Sequence, residues 1–239
     1  EALMRLDHPH VARAIAHGLQ DSRHYLALEY INGPNLAQLL ERHGPLPERW
    51  LLRIAIEVAE GLEHVHATTG IVHRDVKPEN ILAHRAEGAP AGSLDDHDQA
   101  KLIDFGLARA FATDERLTIT GITMGTPHYM SPEQIRGSQN LDHRSDIYGL
   151  AATLVHLLTG APPYPGTAPA TVMTAHLTEA VPDPAKRRPD LSPVTRDLLM
   201  MAMAKDPDRR YLTWRAFIGA AGAALRGSSR LQPVPQLMR

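Results

Sequence analysis

Eight consecutive residues, His73-Arg74-Asp75-Val76-Lys77-Pro78-Glu79-Asn80, bring a carboxylate, an ammonium and a carboxamide into one short segment. A second carboxylate follows in Asp104-Phe105-Gly106, and a third cluster runs Gly125-Thr126-Pro127-His128-Tyr129-Met130-Ser131-Pro132-Glu133. Any one of these is weak on its own, but their order is a strong combined signal. The chemistry they suit is phosphoryl transfer, which needs positioning, metal ions and charge neutralisation rather than covalent help from the protein. Asp75 can orient an attacking hydroxyl and accept its proton, and Lys77, two positions on, can bring a positive charge to the same place. Asn80 and Asp104 supply hard oxygen ligands. So few oxygens suit Mg²⁺, which keeps waters and shares substrate phosphates.

Other segments must hold these residues in place. Leu51, Ala55, Val58, Leu62 and Val65 recur at helical spacing and predict one amphipathic helix, with Pro45 and Pro47 ahead of it and Gly70 to end it. A second helix is predicted from about Ser145, on the stripe Ile147, Leu150, Ala151, Leu154 and Leu158, stopped by Gly160 and Pro162-Pro163. Further helices are expected over Pro193 to Ala204 and Thr213 to Leu225. Residues Glu1 to Leu6 read as the end of a helix, broken at His8-Pro9-His10. Two extended stretches follow, Val11 to His17 and His24 to Tyr30, and then a turn at Asn32-Gly33-Pro34-Asn35. The run Ala83 to Gln99 has no apolar period and ends in Asp95-Asp96-His97-Asp98, so it reads as a mobile, solvated loop with a charged tip. A short strand, Lys101 to Ile103, comes next. The order is a little strand followed by mostly helix, an α+β chain.

The 239 residues fit one large domain or two small lobes, and 43% apolar content permits a sizeable core. A formal net charge of −2 gives no support for a nucleic-acid partner, which would call for a basic face. The absence of cysteine excludes disulfides and thiolate metal sites. No signal peptide is visible, and the best apolar run, Ile147 to Leu158, is too short to span a bilayer. His8/His10, His64/His66 and the Asp95–Asp98 run present no convincing ligand set for a further metal. A first residue of Glu rather than Met reads as a piece of something longer.

From about Leu3 to Leu225 the chain resembles the protein kinase family, whose signatures are H-R-D-x-K-x-x-N, D-F-G and A-P-E. The resemblance implies a kinase fold with a mainly helical large lobe and an incomplete β-rich small lobe. Residues 1–31 would be small-lobe remnant and hinge, 32–226 the large lobe with catalytic loop 73–80 and activation segment 104–133, and 227–239 a linker or tail. It implies that Asp75 is the catalytic base, that Lys77 contacts the γ-phosphate of ATP, and that Asn80 and Asp104 bind magnesium, or manganese in its place. Thr126 resembles the threonine that bonds the catalytic aspartate and lysine. Leu28-Glu29-Tyr30-Ile31 resembles the hinge, with Leu28 as gatekeeper and the backbone of Glu29 and Ile31 on adenine; Leu82 joins the same nucleotide site. His73 is expected to pack on Phe105, Glu133 to pair with Arg210, and Asp146 to hold the backbone of the His73–Asp75 turn. Lys77, with Gly-Thr-Pro ahead of Ser-Pro-Glu, resembles serine/threonine kinases, and Ser131-Pro132-Glu133-Gln134 resembles bacterial members.

Arg74 before Asp75 is the arrangement of kinases switched by activation-loop phosphorylation. Thr118 and Thr120, flanked by Thr113 and Thr123, resemble the Thr-x-Thr autophosphorylation site of bacterial kinases, which implies dimerisation for that step. A phosphate there adds roughly −1.5 to −2 charges that can pair with Arg74. The pattern fails in one place. No Gly-rich loop and no lysine precede Lys77. One preorganised electrostatic contact is typically worth ~10²–10³ in kcat, so the piece as written is expected to be nearly inactive. The rival reading is a pseudokinase or scaffold module. It gains from that absence and loses from the retention of both Asp75 and Asp104. The resemblance implies protein substrates, ATP and a cytoplasmic location, with a membrane anchor elsewhere in a longer protein as an alternative.

Overall fold

The computed structural model describes residues 2–21, 23–85, 94, 97–104 and 127–228. The N-terminal residues form a single 3-10 turn, Ala2–Arg5, where the sequence suggests the end of a longer helix. Two strands, β1 (Ala14–Gln20) and β2 (Arg23–Leu28), pair antiparallel and start and stop within three residues of the predicted stretches. Segment 10–12 then lies along a later strand, with Ala12 N–H on Leu102 O at 2.9 Å and Leu102 N–H on His10 O at 2.9 Å.

The turn at 32–35 is a close crossing of chains. A Cβ at Gly33 would sit 1.9 Å from Ala83 O, so only glycine fits. Asn35 then caps α1 (Leu36–His43) through a capping box with Gln38. Periodicity alone misses this helix, because its eight residues are too few to show a clear stripe. Helix α2 (Glu48–Thr69) follows Pro47 and ends at Gly70, whose φ of 69° closes a left-handed cap. Its stripe of Leu51, Ala55, Val58, Leu62 and Val65 is buried, as predicted.

Strands β3 (Ile81–His84) and β4 (Gln99–Leu102) form a second antiparallel pair. This corrects both ends of the loop expected over 83–99, since Ala83 and Ala100 are fully buried partners in that ladder. Asp98 is 1% exposed rather than part of a solvated tip, and its carbonyl accepts from Arg53 Nη1. Residues 86–93, 95 and 96 lie outside the described residues.

Four further helices and one short turn of helix complete the chain: α3 (Pro132–Ile135), α4 (His143–Thr159), α5 (Pro169–Thr178), α6 (Pro193–Ala202) and α7 (Trp214–Ser228). Helix α4 starts two residues before the predicted Ser145 because Asp142 caps it, accepting from Arg144 N–H at 2.9 Å. It is buried on every face, from Ile147 and Tyr148 through Leu150, Ala151, Thr153 and Leu154, as befits a central helix. Helix α2 packs on α4 and α7, and α6 packs on both of those. Helix α7 continues to Ser228, two residues past the expected boundary. Among the described residues no helix is long and apolar enough to cross a membrane.

One buried ion pair ties α3 to this core. Arg210, with its side chain fully buried, meets Glu133 Oε1 and Oε2 at 2.7 and 2.8 Å. Its remaining N–H groups reach the carbonyls of Ala204 at 2.7 Å, Arg144 at 2.9 Å and Lys205 at 3.2 Å, so all five donors of the guanidinium are used. Burial opposes ionisation of Glu133, but the Arg210 hydrogen bonds and charge, with Ser145 Oγ at 2.6 Å, hold its carboxyl below the usual range. Removing one member of such a pair leaves the other buried and unpaired. Arg210→Ala is therefore expected to cost about 3–5 kcal/mol in denaturant unfolding. Because the folded pKa of Glu133 is depressed, its contribution is complete above the unfolded value near 4.5 and is lost as pH falls through the folded one. A loss of stability in the variant that does not shrink below pH 4 would contradict this assignment.

Candidate active site

The loop carrying Asp75 is shaped by a residue 71 positions away. Asp146, in the first turn of α4 and 4% exposed, accepts from His73 N–H at 2.8 Å and from Arg74 N–H at 2.7 Å, one on each carboxylate oxygen. Arg74 has φ of 65°, a left-handed conformation that a long side chain adopts at a cost of about 1–3 kcal/mol. Burial pushes the Asp146 carboxyl up to about 7 against the opposing pull of the two amides and the Arg74 charge. Both oxygens already accept hydrogen bonds, so the ionised form is the one this geometry satisfies.

Two more elements grip the same loop by its carbonyls. Gln134 of α3 donates from Nε2 to Arg74 O at 2.8 Å while its own Oε1 accepts from Ser131 N–H at 3.0 Å. Thr153 of α4 donates to Val76 O at 3.1 Å. The side chains of Val76 and His73 are buried and that of Arg74 is exposed. His73 Nε2 lies 3.2 Å from Ile103 O, and His73 Nδ1 accepts from Asp75 N–H at 3.3 Å. The carbonyl can only accept, so Nε2 carries the proton and the ring is neutral.

Within the loop, Lys77 Nζ sits 2.7 Å from Asp75 Oδ2. Asn80, 5% exposed, donates from Nδ2 to Asp75 O at 2.9 Å and to Asp75 Oδ2 at 3.1 Å. Asn80 O then accepts from Ile103 N–H at 2.9 Å, which draws the chain just ahead of Asp104, two residues past β4, toward the same loop. Asp104 is exposed, with φ of 59°, another non-glycine residue in the left-handed region. The charges of Asp75 and Asp104 both act on His73. Asp75, Lys77 and Asp104 thus all act electrostatically on one histidine, and Asn80 is bonded to Asp75. With both amide hydrogens of Asn80 on Asp75, its Oδ1 and the exposed Asp104 carboxylate are the oxygens that could hold a metal ion. Two hard oxygens at the rim of the site fit a hydrated divalent cation such as Mg²⁺.

One hinge candidate, Glu29, reaches the β3–β4 pair through its side chain. Glu29 N–H is on Arg13 O at 2.9 Å, and its carboxylate takes Lys101 Nζ at 2.7 Å. Lys101 lies opposite Leu82 in the β3–β4 ladder, so Glu29 and Leu82 converge on one residue. Leu28 is half-buried and Ile31 buried. Phe105, Thr113, Thr118, Thr120, Thr123 and Thr126 lie outside the described residues. His8 stacks on His64 at 5.0 Å and His66 faces His143 at 5.1 Å; among the described residues no group of three acids or histidines could hold a metal ion. Sequence reasoning missed Gln134 and Thr153. The Ser-x-x-Gln spacing could have flagged Gln134 as a capping residue, but nothing local marks Thr153.

Comparison with known proteins places this geometry. The protein kinase domain family matches residues 1–218. The serine/threonine-protein kinase pkn3 of Myxococcus xanthus is 38% identical, covering 99% of this chain and 43% of its own length. The serine/threonine-protein kinase PknE of Mycobacterium tuberculosis is 41% identical, covering 92% of this chain and 36% of its own. The chain thus spans less than half the length of these curated relatives. The crystal structure of Rad53 1-466 in complex with AMP-PNP superposes with a TM-score of 0.73 at 23% identity, over 91% of this chain and 52% of that one.

The hydrogen bonds of His73 give a direct check. Burial lowers its pKa, outweighing its bond to Ile103 and the nearby carboxylates. Imidazole ¹⁵N shifts should show Nε2 protonated and Nδ1 bare at pH 6.5, the ordinary pKa of histidine. The neutral ring is free of penalty above the unfolded pKa, and stability should fall as pH drops through the folded one. A ring half protonated at pH 6.5 would refute this placement.

Proposed function

This chain belongs to the protein kinase family, and from that premise we propose that it transfers the γ-phosphate of ATP to serine and threonine hydroxyls of proteins. The observation that carries the reading is the Asp75 carboxylate. Its Oδ2 is held by Lys77 Nζ at 2.7 Å and Asn80 Nδ2 at 3.1 Å, so Oδ1 is the oxygen left for a substrate hydroxyl. Asp75 takes the hydroxyl proton as the oxygen attacks phosphorus, the bond to the β–γ bridging oxygen breaks, and ADP leaves. Lys77 offsets negative charge on the moving group from its place beside Asp75. A magnesium ion, when bound, neutralises the phosphates; Asn80 and Asp104 would hold it, and manganese offers the same coordination chemistry. The hydroxyl preference rests on Lys77 and on the relatives, both serine/threonine-protein kinases.

The same reading assigns residues 1–31 to the small lobe and hinge and 32–226 to the large lobe, with the nucleotide between them against Glu29, Ile31 and Leu82. It assigns phosphate to Thr118 or Thr120 in the active form. Support for that is Arg74, whose backbone is fixed by Asp146 while its side chain is exposed and available to a phosphate. ATP as co-substrate implies a cytoplasmic location for this domain.

In the full-length protein, Asp75→Asn should keep nucleotide binding and lower kcat by about 10²–10⁴-fold, the usual loss for a general base. Transfer of ³²P to a generic protein substrate reads this. Equal labelling by wild type and variant would remove Asp75 from the mechanism.

A further inference from the structure

A second polar network lies on the side of α4 away from Asp146. His176, on α5, is fully buried. Its Nδ1 lies 2.7 Å from the Tyr148 hydroxyl and its Nε2 lies 3.1 Å from His128 O. The carbonyl cannot donate, so Nε2 carries the proton and Nδ1 accepts from Tyr148. His176 O accepts from Lys205 Nζ at 2.7 Å, and Lys205 also reaches the Tyr164 hydroxyl at 2.6 Å. Tyr164 in turn packs edge-on against the His176 ring at 4.7 Å. Each side of the imidazole is therefore fixed. Burial, then the charge of Lys205, lowers the His176 pKa to about 4, which keeps the ring neutral and its donor–acceptor polarity set at physiological pH.

What this histidine holds is the short 3-10 turn Pro127–Tyr129. That turn has two further ties. His128 Nε2 donates to Gly166 O at 3.0 Å, and the Tyr129 hydroxyl meets His156 Nδ1 at 2.7 Å. It also adjoins the catalytic loop. Tyr129 O and Val76 O approach the same face of Gly149, at 3.5 and 3.6 Å from where a Cβ would stand, and Val76 is next to Asp75. The turn thus lies beside the backbone that carries Asp75.

We propose that His176 is a positioning residue for the protein substrate: its Nε2–H holds the carbonyl of His128 and thereby fixes the 127–129 turn as the wall on which the substrate chain is laid. The proposal rests on the protein-kinase reading for its kinetic consequence and on the hydrogen-bond geometry alone for its structural one. It concerns the polypeptide substrate and leaves the nucleotide untouched.

The test uses His176→Phe and His176→Gln in the full-length protein; the glutamine keeps an amide donor for His128 O. Loss of one neutral hydrogen bond predicts that His176→Phe raises KM for a protein substrate about three- to tenfold. KM for ATP should stay unchanged, amide exchange at 128–130 should quicken, and His176→Gln should recover most of both effects. Unchanged exchange and unchanged protein KM in His176→Phe would overturn the proposal. So would a parallel rise in KM for ATP, or a glutamine variant as impaired as the phenylalanine one. If the phenylalanine variant fails to fold, wild-type imidazole spectra decide: a proton on His176 Nε2 supports the proposal, and one on Nδ1 overturns it. If wild type transfers no phosphate, the functional reading fails, and the exchange and tautomer measurements still judge the positioning.

Discussion

At Arg74 the chain turns through a left-handed conformation, and a residue other than glycine stays there only while something stronger than the strain opposes it. Asp146 supplies that opposition with two short bonds to consecutive amides, made inside the protein where they are strongest. The consequence reaches Asp75 directly. With the amides of 73 and 74 fixed from below, and the carbonyls of 74 and 76 fixed by Gln134 and Thr153, the backbone on both sides of Asp75 has no freedom to swing. The side chains of Lys77 and Asn80 then need only close on Asp75. This is preorganisation in its simplest form: the charges that phosphoryl transfer needs are set before any substrate arrives.

Many ties of this kind have one end on α4. Asp146 and Thr153 hold the 73–76 loop, and Ser145 holds Glu133 beside Arg210. Tyr148 donates to His176, and His156 meets Tyr129. That explains why α4 is buried on every face while also carrying these five polar residues. Each polar group meets a partner from a different element, so packing the helix and assembling the site are one event. Burial of these groups is affordable only because the partners are present.

How far the sequence reveals this depends on the range of the interaction. The Asp75-x-Lys77-x-x-Asn80 cluster is local, so its chemistry is legible from residue types alone, as are α2 and α4, whose apolar residues recur over several turns. Short helices are less so. Helix α1 is announced only by Asn35 and Gln38, and α5 only by Pro169 at its first position. The pairings of Glu133 with Arg210 and of Asp146 with the loop were accessible through resemblance to a family, since nothing local connects residues 77 and 72 positions apart. Thr153 and His176 carry no motif, and their roles emerge only when the helices are packed. The run ending at Asp98 misled because charge suggests solvent, whereas Asp98 and Ala100 are drawn inside by the β3–β4 ladder. The activation-segment threonines lie outside the described residues, so their expected role stands on the sequence.

The central claim is that Asp75, Lys77, Asn80 and Asp104 converge on one nucleotide's terminal phosphate. A crystal structure of the full-length protein with Mg²⁺ and a non-hydrolysable ATP analogue measures this directly. The account predicts an octahedral ion with Asn80 Oδ1 and an Asp104 oxygen at about 2.0–2.1 Å, and Lys77 Nζ on the γ-phosphate. An ion bound to neither residue, or a terminal phosphate out of reach of Asp75, would contradict it.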